Sequence, residues 1–152
     1  MTIPLRLRPY LPADRPTCIA LFESNVPEYF GAHEQADFLE CIDEDIGPYF
    51  VLEDAEGQAL GCGGYAAHPD WPATAALTWG MIRRDLHGRS LGTHLLAGRL
   101  DRIRMDGRFD KVRIETTPMS RGFFERFGFA ALRTQPDGFG QGYDLVEMLL
   151  AF

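Results

Sequence analysis

The chain has 152 residues, the size of one domain able to bury a full core. Its 45% hydrophobic and 24% charged residues exclude a disordered chain, and no apolar run approaches the ~20 residues of a membrane span. A net charge of -7 disfavours a nucleic-acid partner, which calls for a basic surface.

From Met1 to Tyr10 no basic stretch is followed by an apolar one, so no signal peptide is read. Cys18, Cys41 and Cys62 are odd in number and far apart, which indicates neither a disulfide framework nor a zinc site and fits a reducing cytoplasm. Charge is divided along the chain. Pro16 to Ile82 holds no lysine or arginine against twelve acidic residues, whereas Arg83 to Phe152 holds twelve basic residues and nine acidic ones. Such a division serves solubility, and it would also serve an enzyme joining an anionic donor to a cationic acceptor.

In chain order, Leu5 to Arg8 alternates as a short strand. Asp14 is placed to cap a helix running to Asn25, with Pro16 in its first turn and Cys18, Ile19 and Phe22 on one face. A second helix is expected over Glu34 to Glu44, burying Phe38, Leu39 and Ile42. Tyr49 to Glu53 and Gln58 to Ala67 read as a hairpin, with Gly61, Gly63 and Gly64 signalling a bulge or a close backbone approach. After the loop from His68 to Thr74, Ala75 to Arg83 is an apolar strand. Thr93 to Met105 is a helix with Leu96, Leu100 and Ile103 on one face, ended by Gly107. Lys111 to Glu115 is a strand, and Ser120 to Phe127 a short helix stopped by Gly128. Phe129 to Gln135 and Asp144 to Ala151 are the last strands, separated by a loop from Pro136 to Tyr143. Hairpins followed by strand–helix–strand make an α+β or mixed-sheet architecture.

The chemistry concentrates in IRRDLHGRSLGTHLL, Ile82 to Leu96. A strand ends, a turn with Gly88 and Gly92 follows, and a helix begins. Successive N–H groups in such a turn converge on one anion, and the helix N-terminus adds about half a positive charge. Arg83, Arg84 and Arg89 reinforce it, and a pyrophosphate is the ligand that fits. The alternative is a plain strand-to-helix turn with surface arginines. The segment is neither a Walker loop nor GxGxxG.

HGRSLGTHLL resembles the acetyl-CoA loop of the GNAT N-acetyltransferase superfamily, Q/R-x-x-G-x-G/A. TTPMSRGFFERFGF, thirty residues on, is similar to that family's N-x-x-A-x-x-x-Y-E-K-x-G-F, with Glu125, Arg126, Gly128 and Phe129 in register. GYDLVEMLL resembles its last strand. The resemblance spans nearly the whole chain. It implies a single GNAT-like domain over residues 1–152, with a mixed central sheet whose central strands splay and are flanked by helices. It also implies acetyl-CoA as co-substrate and direct acetyl transfer to an amine. By resemblance, Gly80, Met81 and Ile82 offer backbone groups to the pantetheine arm. His87, Gly88, Arg89, Ser90, Leu91, Gly92 and Thr93 hold the pyrophosphate. Thr117 stands at the family's asparagine position, Ser120 at its small residue, and Phe124 where a tyrosine acid is common.

Three departures carry expectations. His87 replaces glutamine or arginine and can donate to phosphate. Ser90 replaces a glycine, so positive φ is not expected there. Phe124 cannot donate a proton, which leaves water, Ser120 or Tyr143 for that role. Glu115 is the first choice as general base, with Glu28, His68 and Asp70 behind it. Its alternation with Ile114 leaves open which face meets the cleft. Glu28, Tyr29 and Phe30 are expected beside the acceptor, although core packing claims at least one of these rings. Trp71 and Trp79 stay open between core and site.

The reading is an acetyl-CoA-dependent N-acyltransferase acting on a small-molecule or peptide primary amine, preferentially cationic, without nucleic acid or membrane. Related proteins often pair through their late strands, which allows a homodimer. One rival is a CoA-binding regulatory module of the same fold with little turnover. The other is an interaction protein whose glycine turn binds nothing.

Overall fold

The computed structural model describes residues 4–152. Its strands are β1 (Arg6–Pro9), β2 (Tyr49–Glu53), β3 (Ala59–Ala67), β4 (Thr74–Ile82), β5 (Lys111–Thr116), β6 (Ala130–Gly140) and β7 (Tyr143–Ala151). They form one open mixed sheet in the order β1-β2-β3-β4-β5-β7-β6. The helices are α1 (Arg15–Ser24), α2 (Gln35–Asp43), α3 (Leu91–Asp106) and α4 (Arg121–Arg126). Every neighbouring pair is antiparallel except β4 and β5, which run parallel and are joined through α3.

Strand alternation divides the core between the two faces of the sheet. Leu77, Val112, Ile114, Val146 and Met148 meet Leu96, Leu100 and Ile103 of α3 and Phe124 of α4. On the other face, Tyr49, Val51, Cys62 and Met81 meet α1 and α2. There Phe22 lies between the rings of Phe30 and Phe38, at centroid distances of 5.2 and 5.3 Å. Beyond β4 this second face carries charge instead of a helix. Glu147 of β7 accepts hydrogen bonds from Nε of Arg113 and Nε of Arg133, both at 2.6 Å.

Three local expectations are corrected. Asp14 does not cap α1 with its side chain. Its carboxylate is taken by Arg8, at 2.8 Å to each oxygen, and by the Leu11 N–H, because a charged donor from β1 outcompetes a local cap. The segment Pro136 to Tyr143 is not a loop but the far end of a long β6–β7 hairpin, turning at Gln141 and Gly142. Pro136 is tolerated because β6 is the edge strand, and the ladder breaks its register between Gln135 and Gly140. Ser90 does adopt positive φ, at 64°. The turn into α3 demands the left-handed region, which a single short polar residue can occupy.

Two irregularities position the site. The β4–β5 ladder pairs only Thr74–Ala76 with Lys111–Arg113. Beyond it the strands part, so the β4 edge from Leu77 and the β5 edge from Ile114 open a cleft: the expected splay. β4 also carries a bulge, where Gly64 pairs with Thr78 but Cys62 with Met81. Trp79 takes φ 38° there. As a result Leu77 and Trp79, two residues apart, pack into cores on opposite faces. Tyr49 pins the bulge by donating its hydroxyl to the Trp79 carbonyl at 2.7 Å.

Candidate active site

The turn between β4 and α3 presents Gly88 at φ 81° and Ser90 at φ 64°. No side chain caps the first turn of α3, so its N–H groups are available to an anion. Of the three arginines around it, Arg83 pairs with Asp85 at 2.6 Å and Arg84 with Glu28 at 2.6 Å. Among the described residues only Arg89 of the three makes no ion pair, so the loop's free positive charge is smaller than its sequence suggests. His87 directs Nε2 to the Ile82 carbonyl at 2.8 Å and meets the Tyr29 ring at 4.9 Å. Its ring braces the strand end.

At the mouth of the splay, a cavity of about 540 Å³ is lined by Pro27, Glu28, Thr117–Met119 and the hairpin tip from Gln141 to Asp144. Its wall carries two carboxylates, from Glu28 and Asp144, and no basic residue. The hydrogen bond from Arg84 holds the Glu28 carboxyl below its ordinary range. A clasp closes the outer side. Tyr143 donates its hydroxyl to the Pro27 carbonyl at 2.8 Å, and His33 Nε2 lies 2.6 Å from the Phe139 carbonyl. The loop between α1 and α2 is thereby bound to the hairpin.

The other sequence candidates fall as follows. Glu115 is exposed and opposite Glu147 in the ladder. Ile114 turns into the α3-side core, so Glu115 lies on the face shared with α1 and α2. Arg113 bonds Glu147, leaving Glu115 outside that ion pair. Ser120 precedes α4 and its side chain makes no cap. Phe124 is buried against Phe123 and Phe129, with centroids at 5.1 and 5.4 Å, and belongs to the α3–α4 core. Phe30 stacks on Phe22 and tilts against Trp79 at 5.6 Å, so that ring is core too, as is Trp79. Tyr29 stands at the edge of the turn into α3, with Arg84 over its ring at 5.6 Å. His68 and Asp70 sit in the β3–β4 turn, at the opposite end of β4 from the turn into α3. Trp71 is beside them, with Arg113 over its ring at 4.6 Å.

Sequence reasoning missed Asn25, Arg99, His33 and Asp144. Asn25 is buried and donates to the carbonyls of Leu21 and Ile82, both at 3.0 Å, tying the end of α1 to the end of β4; nothing in the sequence marks it. Arg99 had a signal: it interrupts the helical apolar face formed by Leu96, Leu100 and Ile103. Two buried side-chain atoms in the described structure have no hydrogen-bond partner, Nε of Arg99 and Oγ1 of Thr117. One is on the helix behind β4 and the other just beyond β5, so they flank the splay. Orphaned polar groups there, with an uncapped helix start, fit a ligand that is polar along its length and anionic at one end.

The model of the acetyltransferase (GNAT) family matches residues 17–129. The chain belongs to that family. This acetyltransferase is also similar in fold to solved structures over nearly all of its length. A protein from Desulfovibrio desulfuricans described as an acetyltransferase of the GNAT family is 23% identical, with a TM-score of 0.82 over 97% of this chain and 99% of that one. The ribosomal-protein-alanine N-acetyltransferase from Brucella melitensis is 20% identical, with a TM-score of 0.75 over 97% and 99%. The spermidine N-acetyltransferase from Vibrio cholerae, in complex with CoA and spermine, is 19% identical, with a TM-score of 0.75 over 97% and 95%. No curated protein sequence matches the chain. Acetyl-CoA is the co-substrate that fits this family. Among the described residues no helix is long and apolar enough to cross a membrane.

Proposed function

We propose that this acetyltransferase moves the acetyl group of acetyl-CoA directly to the primary amine of a small cationic molecule or a peptide. The supporting observation is the cavity at the splay, where among the described residues the charged lining residues are Asp144 and Glu28, the latter already paired with Arg84, and none is basic. An amine enters such a wall as its ammonium and must lose a proton before it can attack. Glu115, on the acceptor face at the end of β5, is the group we assign to accept that proton, directly or through water.

Acetyl-CoA supplies the activated acyl carbon and a thiol leaving group. The chain binds and orients it. Residues 88–93 and the first turn of α3 receive the pyrophosphate, the β4 backbone from Gly80 to Ile82 faces the pantetheine arm, and Thr117 offers Oγ1 to it. A thiol with a pKa near 8.5 leaves without strong acid assistance. The burial of Phe124 is therefore compatible with turnover, with Ser120, Tyr143 or water returning a proton. The three free thiols fit a reducing compartment such as the cytoplasm.

The test is CoA-thiol release over a panel of cationic, neutral and carboxylate-bearing primary amines. Release with cationic amines is expected, and Glu115→Gln should lower kcat by about 10²–10⁴-fold while CoA still raises the Tm. Thermal stabilisation by CoA without release on any amine would make the protein a CoA-binding regulatory module. Neither response would mean that the glycine turn binds nothing.

A further inference from the structure

Arg99 is the least expected residue in the molecule. It lies on the sheet-facing side of α3, only 3% exposed, and among the described residues no carboxylate pairs with it. Nη1 donates a long 3.3 Å hydrogen bond to the Gly64 carbonyl, and Nε has no partner. An unpaired buried charge is costly, and a leucine would continue the surrounding apolar face.

The sheet is shaped around this guanidinium. A Cβ on Gly80 would lie 2.5 Å from Nη2, and one on Gly63 would lie 3.2 Å from Cζ. Both glycines belong to the bulge, which also holds Trp79 at φ 38°. The charge therefore stands directly behind the β4 backbone, at the edge where β4 leaves β5. The titratable groups that act on it are the Tyr49 phenol and the Cys62 thiol, both pushed well above their usual range by burial and therefore neutral near pH 7. Burial brings the guanidinium itself down to about 10, so it remains a cation at neutral pH.

We infer that Arg99 is a positioning residue of the acetyl-transfer step, holding the Gly63–Gly80 bulge in place and setting a fixed positive charge behind the backbone that receives the thioester carbonyl. In that step the amine nitrogen forms a bond to the acyl carbon and the carbonyl π pair moves onto oxygen. When that pair returns, the C–S bond breaks and the sulfur keeps its electrons as thiolate; Glu115 having taken the ammonium proton before attack, the second proton passes from the nitrogen to water or to that thiolate. Charge gathers on the oxygen only as the new bond forms. A preorganised cation in a low-dielectric setting favours this state over bound substrate. The inference rests on the acetyl-transfer reading above.

The experiment replaces Arg99 with methionine, of similar reach and no charge, and with lysine. For Arg99→Met we expect an unchanged or raised Tm without ligand, unchanged CoA affinity, and kcat lower by about tenfold or more with little change in KM. In isotope-edited infrared spectra of acetyl-CoA bound without acceptor, the thioester carbonyl stretch should move to higher frequency than in wild type. Arg99→Lys should keep most of kcat and of the carbonyl shift near neutral pH and lose both as pH rises through the pKa of a buried ammonium. If the methionine variant does not fold, the pH response of the lysine variant decides. Wild-type kcat and carbonyl frequency in Arg99→Met, or a lysine variant as insensitive to pH as wild type, would overturn the inference. The carbonyl frequency needs no acceptor, so it reports on Arg99 even if no amine is ever acetylated.

Discussion

At the scale of single residues, this acetyltransferase carries unfavourable groups on either side of β4 and at the start of α3, where we propose that the ligand lies. Ser90 occupies the left-handed region at φ 64°, at the position where the family motif has a glycine. The strain in such a residue is about 1–2 kcal/mol. Ser90→Gly should therefore keep or raise the denaturation midpoint, whereas the β-branched Ser90→Val should lower stability by roughly that amount. Paired urea melts, with and without CoA, would check both. Arg99 follows the same logic with charge in place of a dihedral angle. Neither residue's role could be read from the sequence alone. Ser90 carried an expectation against positive φ that the turn overrode. Arg99 was visible only as a break in a helical stripe, and a stripe does not say what lies across from it. The glycines were more legible. Gly61, Gly63 and Gly64 announced a close approach, and the structure shows their Cβ positions occupied by the neighbouring strand, Tyr49 or Arg99.

At the scale of elements, periodicity carried most of the fold. α3, the β2–β3 hairpin and β5 lie within one or two residues of their expected bounds, because each has a strong apolar face to bury. What failed was decided by partners distant in sequence. The β6–β7 tip reads as loop because Pro136 and three glycines fall in it, and only its place at the sheet edge makes it strand. The unhelixed face of β5, β7 and β6 has its own chemistry. Burial pushes the Glu147 carboxyl up, but hydrogen bonds from Arg133 and Arg113 more than offset this and leave it below its ordinary value. A carboxyl lowered in the folded state adds stability that is fully present above its unfolded pKa of about 4.3 and is lost as pH falls through the lower folded value. Glu147→Gln should cost about 1–3 kcal/mol at pH 7, and the deficit should shrink on acidification below about pH 4. Chemical denaturation of both proteins between neutral and acid pH measures the difference. An unchanged deficit at low pH would place the cost elsewhere than in the ion pair.

At the scale of the whole molecule, the uneven charge along the chain becomes a spatial arrangement. The segment without lysine or arginine supplies α1 beyond Arg15, α2 and the Glu28 side of the cavity, and the arginine-rich segment supplies the turn into α3. Long-range attraction of a cationic acceptor fades when the screening length falls from about 10 Å at 0.1 M salt to about 3 Å at 1 M. We therefore expect kcat/KM for a cationic amine to drop with salt while that for a neutral amine holds, as steady-state assays at several salt concentrations would show. The clasp has a further geometric consequence. The splay is sealed at its base by the β4–β5 ladder, and on the face of α1 and α2 the Tyr143–Pro27 and His33–Phe139 contacts reconnect its two sides. The opening is therefore a window with a complete frame, not a notch open along one side. A notch admits a bulge of folded surface from the side, but a framed window admits only something with a free end. Polyamines and peptide N-termini have such an end, and a lysine in the middle of a rigid helix does not. Competition between an N-terminal amine and an internal lysine of one folded protein should favour the terminus, and Tyr143→Phe, which unlatches one side of the frame, should narrow that preference.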